Sequence, residues 1–384
     1  MRFAIGKNLR GVVVDLDQVT RKPVRAIDVV DEMREFVVGN GALIIFEHGP
    51  FRFATKDAEV LGGRGEAGED RQVDQRGDEL FHNTIKHRLL DFAPHKYEDR
   101  KMLTVLFLGD VVGEPGRNAV ISRLPELKEQ HGLDFIVVNG ENAAGGRGIT
   151  GKITIDLLRA GVSVVTTGDH IWDQKDILSF IDTEPRLLRP VNYPPGAPGS
   201  GSIVLETAKG KVGVINVQCR TFMQPILENP FRAMDETVAK MREETRNIIV
   251  DVHGETTSEK IAMGRFLDGK VSAVIGTHTH VQTADEQILP GGTAFLCDAG
   301  MCGPVNSILG RAIEPIMNRF VSNMPASFPV AAGEVRLHGA LIEIDEKGGR
   351  AARIMRVDEP GPTQPSSEPE PKIDNEQSPN PEQT

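Results

Sequence analysis

Val271-Ser272-Ala273-Val274-Ile275-Gly276-Thr277-His278-Thr279-His280 is an apolar run that breaks at a glycine and then delivers two imidazoles. A short run of this kind reads as a buried strand. Residues i and i+2 of an extended strand end face the same side, so His278 and His280 are expected to serve one cluster. A His-x-His pair standing alone is more often an ordinary surface or core feature. Its place behind a buried strand and a glycine moves the reading toward a metal.

The same design recurs on either side of that stretch. Leu103 to Leu108 leads to Gly109-Asp110, Phe135 to Val138 to Asn139-Gly140-Glu141-Asn142, and Val162 to Thr167 to Gly168-Asp169-His170. Lys211 to Val217 repeats it, and Ile248 to Val252 precedes His253. Between these runs lie helical stripes: Pro115 to Gln130 with Val120, Leu124 and Leu127, and Asp173 to Ile181 with Ile177, Phe180 and Ile181. Gly339 to Ile344 and Ala352 to Val357 read as a closing strand pair joined by the polar turn 345–350. Buried strands with polar carboxyl ends imply an α/β or layered α/β/α core whose site lies at the strand tips.

Outside this region the patterns change. Residues 1–101 hold two candidate strands, 11–16 and 42–46, around a helix-like stretch from Val24 to Val38, and a Gly-rich charged link at 62–76. No chemical constellation is visible there. Met102 opens an apolar strand that would make an ordinary protein start, so 1–101 reads as an added module or an upstream-extended start. Residues 358–384 are rich in Pro, Glu, Ser, Gln and Asn, with Ile373 as the one large apolar side chain. Such a segment cannot repay the entropy of ordering and is expected to be a disordered acidic tail.

The formal charge of -11 argues against a broad basic surface for nucleic acid, although local metal charge would still draw in a small nucleotide. Cys219, Cys297 and Cys302 form no CxxC pair, and Met1 opens no secretory leader, which points to a reduced, cytoplasmic protein. No apolar run approaches the roughly 18 to 20 residues a bilayer span needs, so no membrane association is expected.

The polar residues at the strand ends form one set: Asp110, Glu141, Asn142, Asp169, His170, His253, His278 and His280. Carboxylate, amide oxygen and imidazole suit hard or borderline divalent metals, and the set is large enough for two. Each member has a bland alternative. Asp110 after a glycine is also a helix cap, Glu141-Asn142 a turn, and His170 a solvated histidine. Their repeated strand-end position favours the joint reading. Arg189 and Arg220-Thr221-Phe222 lie in loops where phosphate or base contact competes with simple solvation. Trp172 reads as packing, and Asp298 as a loop-ordering residue outside the site.

Gly109-Asp110-Val111-Val112-Gly113, Asn139-Gly140-Glu141-Asn142-Ala143-Ala144 and Thr277-His278-Thr279-His280-Val281-Gln282-Thr283-Ala284-Asp285 resemble the YmdB family of calcineurin-like metallophosphoesterases. The resemblance spans Met102 to Val357. It implies a four-layered αββα sandwich, two metal ions (iron or manganese), and hydrolysis of 2′,3′-cyclic nucleotides and related phosphodiesters by a metal-bridging hydroxide. Carried over by motif, Asp110, Asn142 and His280 would hold one metal and Asp169, His253 and His278 the other. Glu141 would bridge them, and His170 would give a proton to the leaving oxygen. It also implies a homo-oligomer. One departure stands out: the family pattern has Asn where this chain has Asp169. The added negative charge is expected to weaken the second metal's Lewis acidity. A phosphomonoesterase or nucleotidase on the same metals, and a weakly catalytic nucleotide-binding regulator, are the competing functions.

Overall fold

The computed structural model describes residues 101–362 and three short strands nearer the start, β1 (Val37–Gly39), β2 (Ala42–Ile45) and β3 (Arg52–Ala54). The chain divides into two units, Met1–His95 and Lys96–Thr384. In the first, β1, β2 and β3 form an antiparallel sheet in that order. β2 is the strand expected at 42–46. The stretch read as helix up to Val38 ends instead in a strand, because Val37 and Val38 pair with Ile44 and Leu43. The readings for 11–16, 24–36 and 62–76 lie outside the described residues.

In the second unit, β4 (Met102–Leu108), β5 (Asp110–Val111), β6 (Phe135–Asn139) and β7 (Val164–Thr166) join a seven-stranded mixed sheet. A six-stranded sheet follows from β8 (Ser202–Thr207), β9 (Gly210–Gln218), β10 (Asn247–His253), β11 (Ala273–Thr277), β12 (Gln287–Ile288) and β13 (Ala294–Leu296). The seven-stranded sheet is completed by β14 (Met301–Pro304), β15 (Val335–Asp345) and β16 (Ala351–Pro360). β4, β6 and β7 run parallel, as do β9, β10, β11 and β13, so their carboxyl ends lie at common edges. The closing pair β15–β16 is antiparallel, as the sequence predicts, but β16 takes in Asp358, Glu359 and Pro360, which composition assigns to the tail. Residues 363–384 lie outside the described residues.

Strand alternation builds three apolar layers. Leu103, Val105, Phe107, Phe135 and Val137 point inward and meet Val212, Val214, Ile249, Ala273 and Ile275 of the other sheet. Leu106, Leu108, Ile136 and Val138 point outward against Val120, Leu124 and Leu127 of α1 (Gly113–His131) and Leu157 of α2 (Gly151–Arg159). On the far side Ile248, Val250 and Val252 meet Met234 and Val238 of α4 (Pro230–Met241) and Met263 of α5 (Thr257–Leu267). The order helix, sheet, sheet, helix is the four-layered αββα sandwich. Each fully buried side chain contributes roughly 1.5–3 kcal/mol, so these layers fix the sheet-to-sheet geometry.

The helix expected over 173–181 is shorter. α3 spans only Ile177–Phe180, followed by a 3-10 turn at Ile181–Thr183. Its would-be first turn is engaged elsewhere: Asp176 accepts from the Gly151 amide, and the Asp173 carboxylate lies 2.9 Å from His170 Nδ1. Among the described residues no helix is long and apolar enough to cross a membrane.

Candidate metal centre

Each strand-end motif sits at a carboxyl tip. After β4 the backbone is pinned where Gly109 donates to His338 O and Asp110 to Gly300 O. A Cβ at Gly109 would strike the Gly300 carbonyl, which accounts for the glycine before Asp110. β6 leads into Glu141 and Asn142, β7 into Gly168 and Asp169, and β10 ends in His253. Gly168 is required by close approach, since a Cβ there would occupy the space of Glu141 Oε2 and the His253 ring.

One detail of the sequence reading is corrected. His278 and His280 are not on an extended strand end: β11 stops at Thr277, and the two histidines have φ of 101° and 65°. The loop, not strand periodicity, turns them inward. His278 lies 3.0 Å from His253 (Nδ1 to Nε2), whereas His280 Nε2 lies 3.9 Å from Asp110 Oδ1.

The polar groups gather into two clusters sharing one residue. Glu141, Asp169, His253 and His278 form the first and Asp110, Glu141 and His280 the second, with the candidate ligand atoms of each within 4.8 Å of one another. In the first, His253 Nε2 lies 3.1 Å from Glu141 Oε2 and 3.0 Å from Asp169 Oδ1. Asn142 joins the second, its amide nitrogen 3.2 Å from His280 Nε2 and 2.9 Å from Glu141 Oε1. His170 belongs to neither. Its Nδ1 lies against Asp173, and its Nε2 is 3.8 Å from Asp169 Oδ2 at the rim.

The donor set fits a divalent cation. Asp110 Oδ1 is buried without a hydrogen-bond partner, a costly arrangement that a cation beside it would relieve. Burial raises the Asp110 carboxyl above its usual range, and the neighbouring Glu141 adds to that against the pull of His280. Burial alone would lower His253, but Glu141 and Asp169 overcome it and hold its imidazole well above the ordinary value. His253 thus holds tightly a proton that a metal would replace, between the carboxylates of Glu141 and Asp169.

Sequence reasoning missed what supports these groups. His253 Nδ1 lies 2.9 Å from Thr277 Oγ1, which donates to Asp251 Oδ1 at 2.6 Å. Asp251 Oδ2 also accepts from Asn139 Nδ2 at 3.0 Å and from Thr166 Oγ1, tying the two sheets together at their polar end. Burial pushes the Asp251 carboxyl up to about 6 despite His253 and the two hydroxyl donors. Its signal was available: a carboxylate interrupting an otherwise apolar strand two residues before His253.

The looser candidates resolve toward structure. Arg189 spends its guanidinium on the carbonyls of Pro190, Ala197 and Pro198. Trp172 packs edge-on against Tyr193 at 5.8 Å. Arg220 and Thr221 donate their backbone amides to Glu259, and Phe222 is exposed.

Residues 106–357 match the sequence profile of the family described as YmdB-like protein. The 2′,3′-cyclic-nucleotide 2′-phosphodiesterase of Bacillus subtilis (strain 168) is 47% identical over 255 residues, covering 66% of this chain and 96% of the relative. A putative phosphatase/phosphodiesterase of Mycoplasma pneumoniae is 37% identical over 246 residues, 62% of this chain and 87% of that protein. Among solved structures, a hypothetical protein from Thermus thermophilus aligns with a TM-score of 0.63 at 41% identity, over 68% of this chain and all of that one. A crystal structure titled as a novel phosphatase of Mycoplasma pneumoniae aligns at 0.64 and 34% identity, over 68% of this chain and 96% of the other.

Proposed function

The chain belongs to the YmdB-like family, and on that premise we propose that it cleaves small phosphodiesters, 2′,3′-cyclic nucleotides foremost, at a centre of two divalent metals. It is a phosphoric ester hydrolase. In the proposed assignment Asp110, Asn142 and His280 hold one ion, Asp169, His253 and His278 the other, and Glu141 both. Iron or manganese suits this mixture of oxygen and imidazole. The observation that carries the reading is Glu141, fully buried and common to both clusters.

When bound, two such ions supply Lewis acidity to the phosphoryl oxygens and lower the pKa of water toward neutrality. The chain's own residues do the rest. The Asp173 carboxylate against Nδ1 orients the His170 ring, leaving Nε2 on the site side to hold the proton that the departing alkoxide takes. Asp251 and Thr277 fix the His253 ring so that its Nε2 faces the cluster. Residues 102–357 carry this chemistry in the proposed division, with 1–101 an extension and the tail starting only after β16 ends at Pro360. A cytoplasmic location and assembly into a homo-oligomer rest on composition and resemblance alone.

Metal analysis of protein purified without added metal tests the proposal together with three assays: adenosine monophosphate formed from 2′,3′-cyclic AMP, p-nitrophenol released from bis-(p-nitrophenyl) phosphate, and phosphate released from 5′-AMP. Two ions per chain and diester cleavage without 5′-AMP hydrolysis are expected. Cleavage of 5′-AMP alone would select a phosphomonoesterase, and loaded protein inert on all three a binding protein.

A further inference from the structure

His278 and His280 flank Thr279, and both occupy the left-handed region, where a non-glycine residue persists only when its surroundings impose it. Asp110 Oδ2 accepts from the His278 amide at 3.1 Å, and the residue between the two histidines is held by Asp298, which belongs to neither ligand cluster. Its Oδ2 accepts from the Thr279 amide at 3.1 Å and from Thr279 Oγ1 at 2.8 Å. Its Oδ1 accepts from the Gly300 amide at 2.9 Å, and the Gly300 carbonyl accepts from the Asp110 amide at 3.1 Å. One carboxylate therefore sets the residue between two candidate ligands and, through Gly300, the backbone of a third.

A buried anion so close to Asp110 needs a counter-charge. Lys260 of α5 provides it, with Nζ 2.7 Å from Asp298 Oδ2 and 3.4 Å from the Thr277 carbonyl. It is 1% exposed, rare for lysine. Its stem passes under Gly276, where a Cβ would meet Lys260 Cδ. The ion pair thus binds a helix of the outer layer to the turn carrying both histidines.

We propose that Asp298, neutralised by Lys260, is a positioning residue that presents His278 and His280 to their two metals. The inference rests on the metal-centre reading above. A buried ion pair is weak evidence for stability as such, so the test separates metal affinity from folding. Metal-stripped wild type, Asp298→Asn, Thr279→Ala and Met263→Ala are titrated with Mn²⁺ by calorimetry, and the thermal midpoint of each is measured. Met263 packs in the same helix, away from the site, and serves as the destabilised control.

Asp298→Asn and Thr279→Ala are expected to bind Mn²⁺ at least about 10-fold more weakly, the size of effect seen when a partner of a metal ligand is removed. Met263→Ala should lose thermal stability yet bind like wild type. Thr279→Ala removes only a hydroxyl and a methyl group and keeps the test valid should Asp298→Asn fail to fold. Wild-type affinity in Asp298→Asn and Thr279→Ala would overturn this inference alone. Wild-type protein that takes up no Mn²⁺ would overturn the metal-centre reading and this inference with it.

Discussion

The seven-stranded sheet and the six-stranded sheet contribute different chemistry to the same centre. Every candidate oxygen ligand, Asp110, Glu141, Asn142 and Asp169, follows a strand of the first, and every candidate nitrogen ligand, His253, His278 and His280, ends or follows a strand of the second. Neither half is a site by itself. Carboxylates crowded together repel, and the histidines lack counter-charge, so each half gains its partner only when the apolar layer between the sheets closes. That layer turns polar toward the tips through Asn139, Thr166, Asp251 and Thr277, which join the halves before any metal does.

Glu141→Gln breaks the comparison most severely, because it removes the one residue common to both clusters. Both ions should be lost and turnover should fall by roughly 10³-fold or more, as expected when several kcal/mol of charge stabilisation disappears. Metal content by mass spectrometry and the diester assay read this directly. Thr277→Val acts chiefly on the nitrogen half by cutting His253 from Asp251. Metal affinity should drop by about 10- to 100-fold, with one ion retained more tightly than the other; equal loss of both would erase the distinction between the halves.

Asp169→Asn adjusts the oxygen half without dismantling it. Removing one negative charge from the cluster of His253 and His278 should loosen that ion, yet raise turnover of fully loaded enzyme by up to about 10-fold through stronger Lewis acidity. Saturating-metal kinetics beside a metal titration would show the two opposing changes. The smallest effect concerns thiols. Burial pushes Cys219 and Cys302 up to about 12 and Cys297 up to about 11, so none supplies a thiolate near neutral pH. Unfolded thiols ionise near 9 while the folded ones stay protonated, so the thiols' contribution to stability should be constant below that pH and be lost as it rises toward 11. Native protein should resist iodoacetamide at about pH 8, and denaturant midpoints should fall between about pH 9 and 11.

The candidate site was legible where chemistry coincides with strand ends. Gly109, Gly140 and Gly168 each mark where the chain leaves a buried strand, Gly276 lies one residue before the end of its own, and the polar residues that follow reach the candidate centre. Support from a distance was not legible. Asp251 sits among apolar neighbours and looks like a flaw in the pattern until Thr277, 26 residues later, is placed beside it. Asp298 and Lys260 are 38 residues apart, on a loop and a helix with no shared motif.

The sequence by itself determined the alternation of buried strands and helices, the polar vocabulary at the strand tips and the family, because periodicity and local motifs are written in adjacent residues. Only the tertiary structure decided that oxygen and nitrogen donors come from opposite sheets, that Asp251 and Asp298 support the centre from a distance, and that His278 and His280 turn inward through left-handed backbone rather than strand alternation. Those facts depend on packing between segments far apart in the chain, where the apolar layer sets the distance and buried polar groups must find partners across it.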